Sequence, residues 1–256
     1  MPRVSHIIAV RPMTLRRFVV PPEAIMGDRV IFYGGEARHA ATVLRLQQGD
    51  RVIVVDGSGS ERVVELVTIS VREIVGRVIE TRRSIPRRTG VSVLQGLPKG
   101  SKMDDIVRMG TELGVVEFVP VLAKRSVGQQ PGGGRTERWR RIAVAASKQS
   151  GRPDVPVVRD PEPLGAALGR LPAGTLLLVL WEDERTRTIA SALSGQPHPA
   201  HVVLLIGPEG GLDEEEVRQA RDHGGVPVTL GPLVLRTETA GVAALAMILY
   251  ELELRE

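Results

Sequence analysis

No cysteine occurs among the 256 residues, which removes disulfides, Cys-ligated zinc and thiol nucleophiles and leaves the chemistry to oxygen, nitrogen or a cofactor. No run approaches the roughly 18 apolar residues of a membrane span, so with 42% hydrophobic content the chain reads as soluble, with one or two domains. At the front, MPRVSHIIAVRPM holds only the short apolar patch Ile7 to Val10, too brief for the centre of a signal peptide, and we read a cytoplasmic protein. Neither a P-loop nor GxGxxG is present, which sets nucleoside triphosphates and dinucleotides aside. None of His6, His39, His198, His201 and His223 stands in a catalytic arrangement. His198 and His201 have metal-like spacing only, among prolines that argue for a loop, and no metal site is expected.

Charge is present but uneven. Residues 1–88 carry 15 arginines against 9 acids, while 89–256 carry 19 basic residues against 21 acids. A basic front third suggests a module that meets a polyanion joined to one with another task, although a solvated arginine-rich surface would look the same. From Arg17 to about Arg83, short β-branched runs split by turns predict a small β-barrel or sandwich, with Asp56-Gly57-Ser58-Gly59 as the clearest hairpin. The segment 36–50, EARHAATVLRLQQGD, has helical apolar spacing and carries Arg38, His39 and Arg45, candidates for phosphate contact. TRRSIPRRTG reads as a linker, QQPGGGR at 129–135 as a flexible loop. Beyond the linker, apolar runs alternate with helical segments as in an α/β domain with a mainly parallel sheet. The expected domains are 1–84 and 85–256.

In such sheets ligands gather outside the carboxyl ends of the strands. Three loops qualify: WEDER at 181–185, GPEGG at 207–211 and GPLVLRTETA at 231–240. Gly207, Gly210 and Gly211 permit close backbone approach to a ligand, and Pro208 stiffens the turn. The helix after GPEGG begins with Asp213, Glu214, Glu215 and Glu216. Asp213 is the expected N-cap and Glu216 its capping-box partner, so the dipole end is neutralised and a phosphate repelled. This loop therefore favours a neutral or cationic ligand. In the third loop Thr237 is a candidate helix cap, and Arg236 and Glu238 are polar groups at a junction of buried elements.

IGPEGGLDEEEV together with LGPLVLRTETAGVAAL resembles the signature of the SPOUT-class methyltransferases of the RsmE type, which methylate N3 of a uridine in 16S ribosomal RNA. RRFVV, HAATVLRLQQGD, LPKGSKMDDIVRMGTELGV, KRSV and RWRRIAVAASKQSGRPDVP extend the likeness over about residues 15–252. The resemblance implies a PUA-like β-barrel that binds RNA, a trefoil-knotted α/β domain, a homodimer and S-adenosylmethionine as donor. It sets residues 1–14 apart as an extension. Its cofactor would lie along Leu180, Trp181 and Glu182, then Ile206, Gly207, Pro208, Glu209, Gly210 and Gly211, then Leu230, Gly231, Leu233, Leu235, Arg236 and Thr239. A sulfonium cation without phosphate suits an acid-rich loop neighbourhood.

Methylating N3 requires removal of its proton, a task for a general base worth about 10²–10⁴ in rate. Glu209 and Glu238 are the candidate bases or orienters, with Arg236 as anion stabiliser and Arg125 as an alternative cation. Arg16, Arg17, Arg38, His39, Arg45, Lys99, Lys102 and Arg125 are the candidate RNA contacts, and 16S RNA or the small subunit is the expected partner. Two other readings stay open: a knotted methyltransferase for a ribose hydroxyl or a tRNA base, and a non-catalytic RNA-binding or ribosome-assembly protein. The small residues Ala240, Gly241, Ala243, Ala244 and Ala246 suit close helix packing, at a dimer interface or in a core.

Overall fold

The computed structural model describes residues 15–83, 88–126, 133–194 and 198–254; the extension 1–14 and much of the 129–135 loop lie outside the described residues. Chain contacts gather into two compact units, Met1–Ser84 and Ile85–Glu256.

In the first unit β1 (Arg16–Val19), β2 (Ile25–Met26), β3 (Arg29–Tyr33), β4 (Arg51–Val55), β5 (Ser60–Ile69) and β6 (Glu73–Arg83) form one sheet in the order β1-β4-β5-β6-β3-β2. β1 pairs parallel with β4 and the remaining neighbours are antiparallel. The Asp56–Gly59 turn closes the β4–β5 hairpin, its Asp56 carboxylate accepting the Ser58 N–H and the Arg62 guanidinium, each at 3.0 Å. Phe18 of β1 stacks on Phe32 of β3 with centroids 5.2 Å apart. Those strands stand four places apart in the sheet, about 19 Å if it were flat at roughly 4.8 Å per strand. The sheet is therefore rolled on itself around these rings. Register shifts at Val63/Val64 and Leu66/Thr68 add the local twist that rolling requires.

Two boundaries differ from expectation. The helix expected over 36–50 is only α1 (Gly34–Arg38) followed by a π-helical turn at His39–Val43. The Leu46 N–H bonds back to Ala40, and Arg45 takes φ +52°. That turn brings both Leu44 and Leu46 against the core, whereas a continued helix would point two residues so spaced to nearly opposite sides. The expected linker also begins later, since Thr81–Arg83 still belong to β6.

The second unit runs β7 (Gly90–Gly96), α2 (Lys102–Leu113), β8 (Glu117–Leu122), α3 (Gly133–Ser150), β9 (Val157–Val158), β10 (Glu162–Pro163), α4 (Leu164–Gly169), β11 (Leu176–Leu180), α5 (Ile189–Leu193), β12 (His201–Ile206), α6 (Glu214–Asp222), β13 (Val226–Val228) and α7 (Thr237–Leu249). Its sheet has the order β10-β8-β7-β12-β11-β13, with β9 also on β8, and every pair is parallel. The strands are apolar runs because both faces are covered. One core cluster joins the sheet to α2, α3, α5 and α7, the other to α4 and α6. α3 starts at Gly133, inside the stretch expected as a loop. The short elements β9, β10 and α4 lacked a sequence signal of their own.

The register matters for function. Gln95, Ile206, Leu180 and Val228 are paired in one row across β7, β12, β11 and β13. The loops that leave these strands consequently emerge side by side.

Candidate functional site

The loops after β11, β12 and β13 enclose a cavity of about 410 Å³, within the range of small-molecule sites. Leu180, Trp181, Glu182, Ile206 to Gly211, Leu230, Gly231, Leu233, Leu235 and Arg236 all line it, together with Lys102, Arg185, Val228 and Thr237. Glu238 and Thr239 do not, and Thr239 is exposed.

The GPEGG loop folds tightly on itself. A Cβ on Gly207 would stand 2.7 Å from the Gly211 carbonyl carbon, and one on Gly96 2.5 Å from Pro208 Cδ. Gly211 has φ +70°, and a side chain there would overlap the Glu182 carboxylate. Backbone rather than side chain therefore faces the cavity here.

Buried Gln95 fastens this loop from below. Its Nε2 donates to Gly96 O at 3.0 Å, Gly207 O at 3.3 Å and Thr237 Oγ1 at 2.9 Å. Thr237 Oγ1 in turn donates to Gly207 O at 2.6 Å. The expectation of Thr237 as a helix cap is thus corrected: Arg236 occupies the N-cap of α7 without a side-chain cap bond. The Thr237 hydroxyl is spent on Gly207 because this helix start is packed into the loop rather than open to solvent. Gln95 escaped sequence reasoning, since a glutamine within an apolar strand carries no ligand motif.

The charged groups fall into two sets. Asp213 and Glu216 close the expected capping box, at 2.8 and 3.0 Å. Lys124 Nζ lies 2.8 Å from Asp213, and this bond, with the Glu216 N–H, holds the Asp213 carboxyl below its ordinary range. The start of α6 is filled by its own acids. At the cavity wall, Lys102 Nζ stands 2.9 Å from Glu209 Oε1 and 3.6 Å from Glu238 Oε2. Burial pushes the Glu209 carboxyl upward, but the Lys102 ammonium and backbone N–H groups, among them that of Lys99 at 3.0 Å, outweigh it and leave the pKa lowered. Bonding to Glu209 raises the Lys102 pKa. Glu238 Oε2 is buried and accepts no hydrogen bond. The Arg236 guanidinium is exposed and forms no hydrogen bond or ion pair among the described residues.

Other candidates are placed differently. Arg125 Nη1 donates to Gly210 O at 2.8 Å and lies 3.5 Å from Leu212 O, so it braces the GPEGG loop. Glu184 is held at a pKa of about 2 by the N–H groups of Arg187 and Thr186, which it gathers into the turn after WEDER. His198 and His201 hydrogen-bond Thr89 and Ser92, each at 2.9 Å. In the first unit Arg16, Arg38, His39 and Arg45 are exposed. Arg17 departs from the phosphate-contact expectation: its side chain is buried against Glu61 at 3.1 Å, on the face of β1 opposite to the one that carries Phe18.

Comparison with known proteins agrees with this geometry. The RNA methyltransferase domain family matches residues 86–249, and the RNA methyltransferase PUA domain matches 32–79. The chain is 36% identical over 231 residues to the ribosomal RNA small subunit methyltransferase E of Bacillus subtilis, covering 86% of this chain and 90% of that one. It is 34% identical over 236 residues to the Synechocystis protein of the same name, covering 91% and 76%. Among solved structures, the Neisseria gonorrhoeae ribosomal RNA small subunit methyltransferase E bound to S-adenosyl methionine superposes with a TM-score of 0.82 at 29% identity, covering 92% and 97%. Two matched domains and relatives alike over most of both chains place this chain in the RNA methyltransferase family of the RsmE type.

Proposed function

We propose that this protein uses S-adenosylmethionine to methylate N3 of a uridine in the 16S RNA of the small ribosomal subunit, acting as a cytoplasmic homodimer with residues 1–84 as its RNA-binding barrel and 85–256 as its catalytic domain. The carrying observation is the cavity of the three loops, whose donor set fits this cofactor. Its walls are apolar at Leu180, Ile206, Val228 and Leu230, and glycine exposes backbone groups for an adenosine. The start of α6, just beyond the GPEGG loop, is already capped by its own Asp213 and Glu216 and offers no free helix end to a phosphate. A bound S-adenosylmethionine supplies an electrophilic methyl group on a sulfonium sulfur.

The protein's own part is to prepare the base. Glu238, whose carboxylate lies 3.6 Å from the Lys102 ammonium of the cavity wall, is the group we assign to accept the N3 proton. Glu209 suits orientation better than proton transfer, because its lowered pKa makes it a weak base. To Arg236, exposed on the cavity wall, we assign the holding of the anion that forms.

The test is methyl transfer from labelled S-adenosylmethionine to small subunits from cells lacking this activity, with nucleoside mass spectrometry of the product. Appearance of 3-methyluridine is the expected result. Transfer to a different nucleoside would redirect the reading to another RNA, and cofactor binding without any transfer would end it.

A further inference from the structure

We infer that Lys102 acts on the target base and not on the RNA backbone: its ammonium, suspended between Glu209 and Glu238 at the cavity wall, is a cation for the negative charge a uracil ring gains when N3 loses its proton. The inference rests on the reaction proposed above and adds a catalytic residue to it.

Position separates Lys102 from an ordinary phosphate contact. Lys99, three residues earlier, is exposed and absent from the cavity wall, whereas Lys102 lines the cavity beside Ile206 to Glu209 and Arg236 to Thr237. To reach outward to a phosphate, Lys102 would have to leave Glu209 at 2.9 Å and Glu238 at 3.6 Å. That move would take from both carboxylates the cation they share. An ammonium carries three N–H donors. The two carboxylates engage at most two of them, so one remains for an oxygen in the cavity.

The arrangement also conserves charge during the proton transfer. When N3–H gives its proton to Glu238, that carboxylate becomes neutral and the uracil O2 and O4 take up the charge. Lys102 then keeps one counter-ion, Glu209, and exchanges the other for the ring. Glu209 remains ionised throughout because Lys102 and the Lys99 N–H hold it so. Two carboxylates around one lysine thus take different roles through their surroundings.

The experiment compares wild type, Lys102→Met and Lys102→Arg for kcat, KM for S-adenosylmethionine, the pH dependence of kcat and the salt dependence of RNA affinity. The expected result for Lys102→Met is a kcat lower by about 10²–10³, with KM and the salt slope unchanged. The deficit should narrow as alkaline pH assists loss of the N3 proton, and Lys102→Arg should recover part of the rate. Retention of the charge by Lys102→Arg separates loss of the cation from loss of the fold. A kcat within twofold of wild type overturns the inference. So does a salt slope lowered by about one with the rate kept, the mark of a phosphate contact, and so does a raised KM alone, the mark of a cofactor contact. Wild type is the check on the reaction: if it forms no 3-methyluridine, the proposed reaction fails, and if it does while Lys102→Met matches it, only the role of Lys102 fails.

Discussion

The amide of Gln95 and the hydroxyl of Thr237, 142 residues apart in the chain, meet at 2.9 Å inside the second unit, and both donate to the Gly207 carbonyl. This shared acceptor fixes the start of α7, and with it Arg236 and Glu238, against the GPEGG loop. The three acceptors around Nε2 also settle the orientation of the amide.

Thr237→Val should therefore loosen the loop as well as the helix. The expected cost is about 1–3 kcal/mol, since the Gln95 amide loses an acceptor and the buried Gly207 carbonyl a donor, together with weaker cofactor binding. Thr237→Ser keeps the hydroxyl and should behave as wild type. Gln95→Met combined with Thr237→Val should cost clearly less than the sum of the two single changes, because they act on one network. Denaturant unfolding and calorimetric titration with S-adenosylmethionine provide the measurements; additive effects would show that the two groups are independent.

The glycines of the loop should differ in their tolerance. An alanine at Gly207 meets backbone, 2.7 Å from the Gly211 carbonyl carbon, which cannot yield without opening the turn. At Gly211 the obstacle is the end of the Glu182 side chain, which can swing aside, leaving a left-handed backbone penalty of about 1–2 kcal/mol. Gly207→Ala is expected to abolish cofactor binding and Gly211→Ala to weaken it. Titration of both variants decides, and an unaffected Gly207→Ala would show that the loop is not the cofactor wall.

Two arginines of the first unit should separate stability from binding. Arg17 and Glu61 form a buried pair, with side chains 8% and 2% exposed. Arg17→Ala removes one member and should destabilise the unit by about 3 kcal/mol. Exposed Arg38 should matter little for stability, and if it meets a phosphate, Arg38→Ala should lower the salt slope of RNA affinity by about one. Equal unfolding midpoints for both variants would contradict the buried ion pair of Arg17 with Glu61.

Much of the second unit was legible because its strands and helices differ in period, and because both faces of the sheet are covered, so that strands appear as unbroken apolar runs. The three ligand loops followed from their place after such strands. What the sequence could not convey was long-range pairing. Thr237 looked like a cap since Ser and Thr favour that position, and only the return of the chain to Gly207 reassigns its hydroxyl. Arg17 and Arg38 are chemically alike in the sequence, yet Glu61 lies beneath one and solvent surrounds the other. Nothing near Lys102 in the sequence announces Glu209 and Glu238, more than a hundred residues away, whose carboxylates lie 2.9 and 3.6 Å from its ammonium.

Glu209 offers the sharpest dependence on pH. Its pKa is lowered in the folded protein, with burial opposing and the Lys102 ammonium and backbone donors prevailing. A carboxyl whose pKa falls on folding stabilises the fold fully above its unfolded value, about 4.3, and loses that contribution as pH drops through the lower folded value. The loop should hence be indifferent to pH from neutral down to the ordinary carboxylate range and weaken only below it. Other acids titrate in the same window, Asp213 among them, so the informative quantity is the difference between wild type and Glu209→Gln. At neutral pH that variant should be less stable by about 1 kcal/mol, a modest figure because the pair is partly solvated. The difference should shrink toward zero as the solution is acidified. Urea midpoints for both proteins between neutral pH and the onset of acid unfolding measure it directly. A gap that stays constant across that range would mean that the Glu209 carboxylate is not what secures the GPEGG loop to Lys102 and the start of α2.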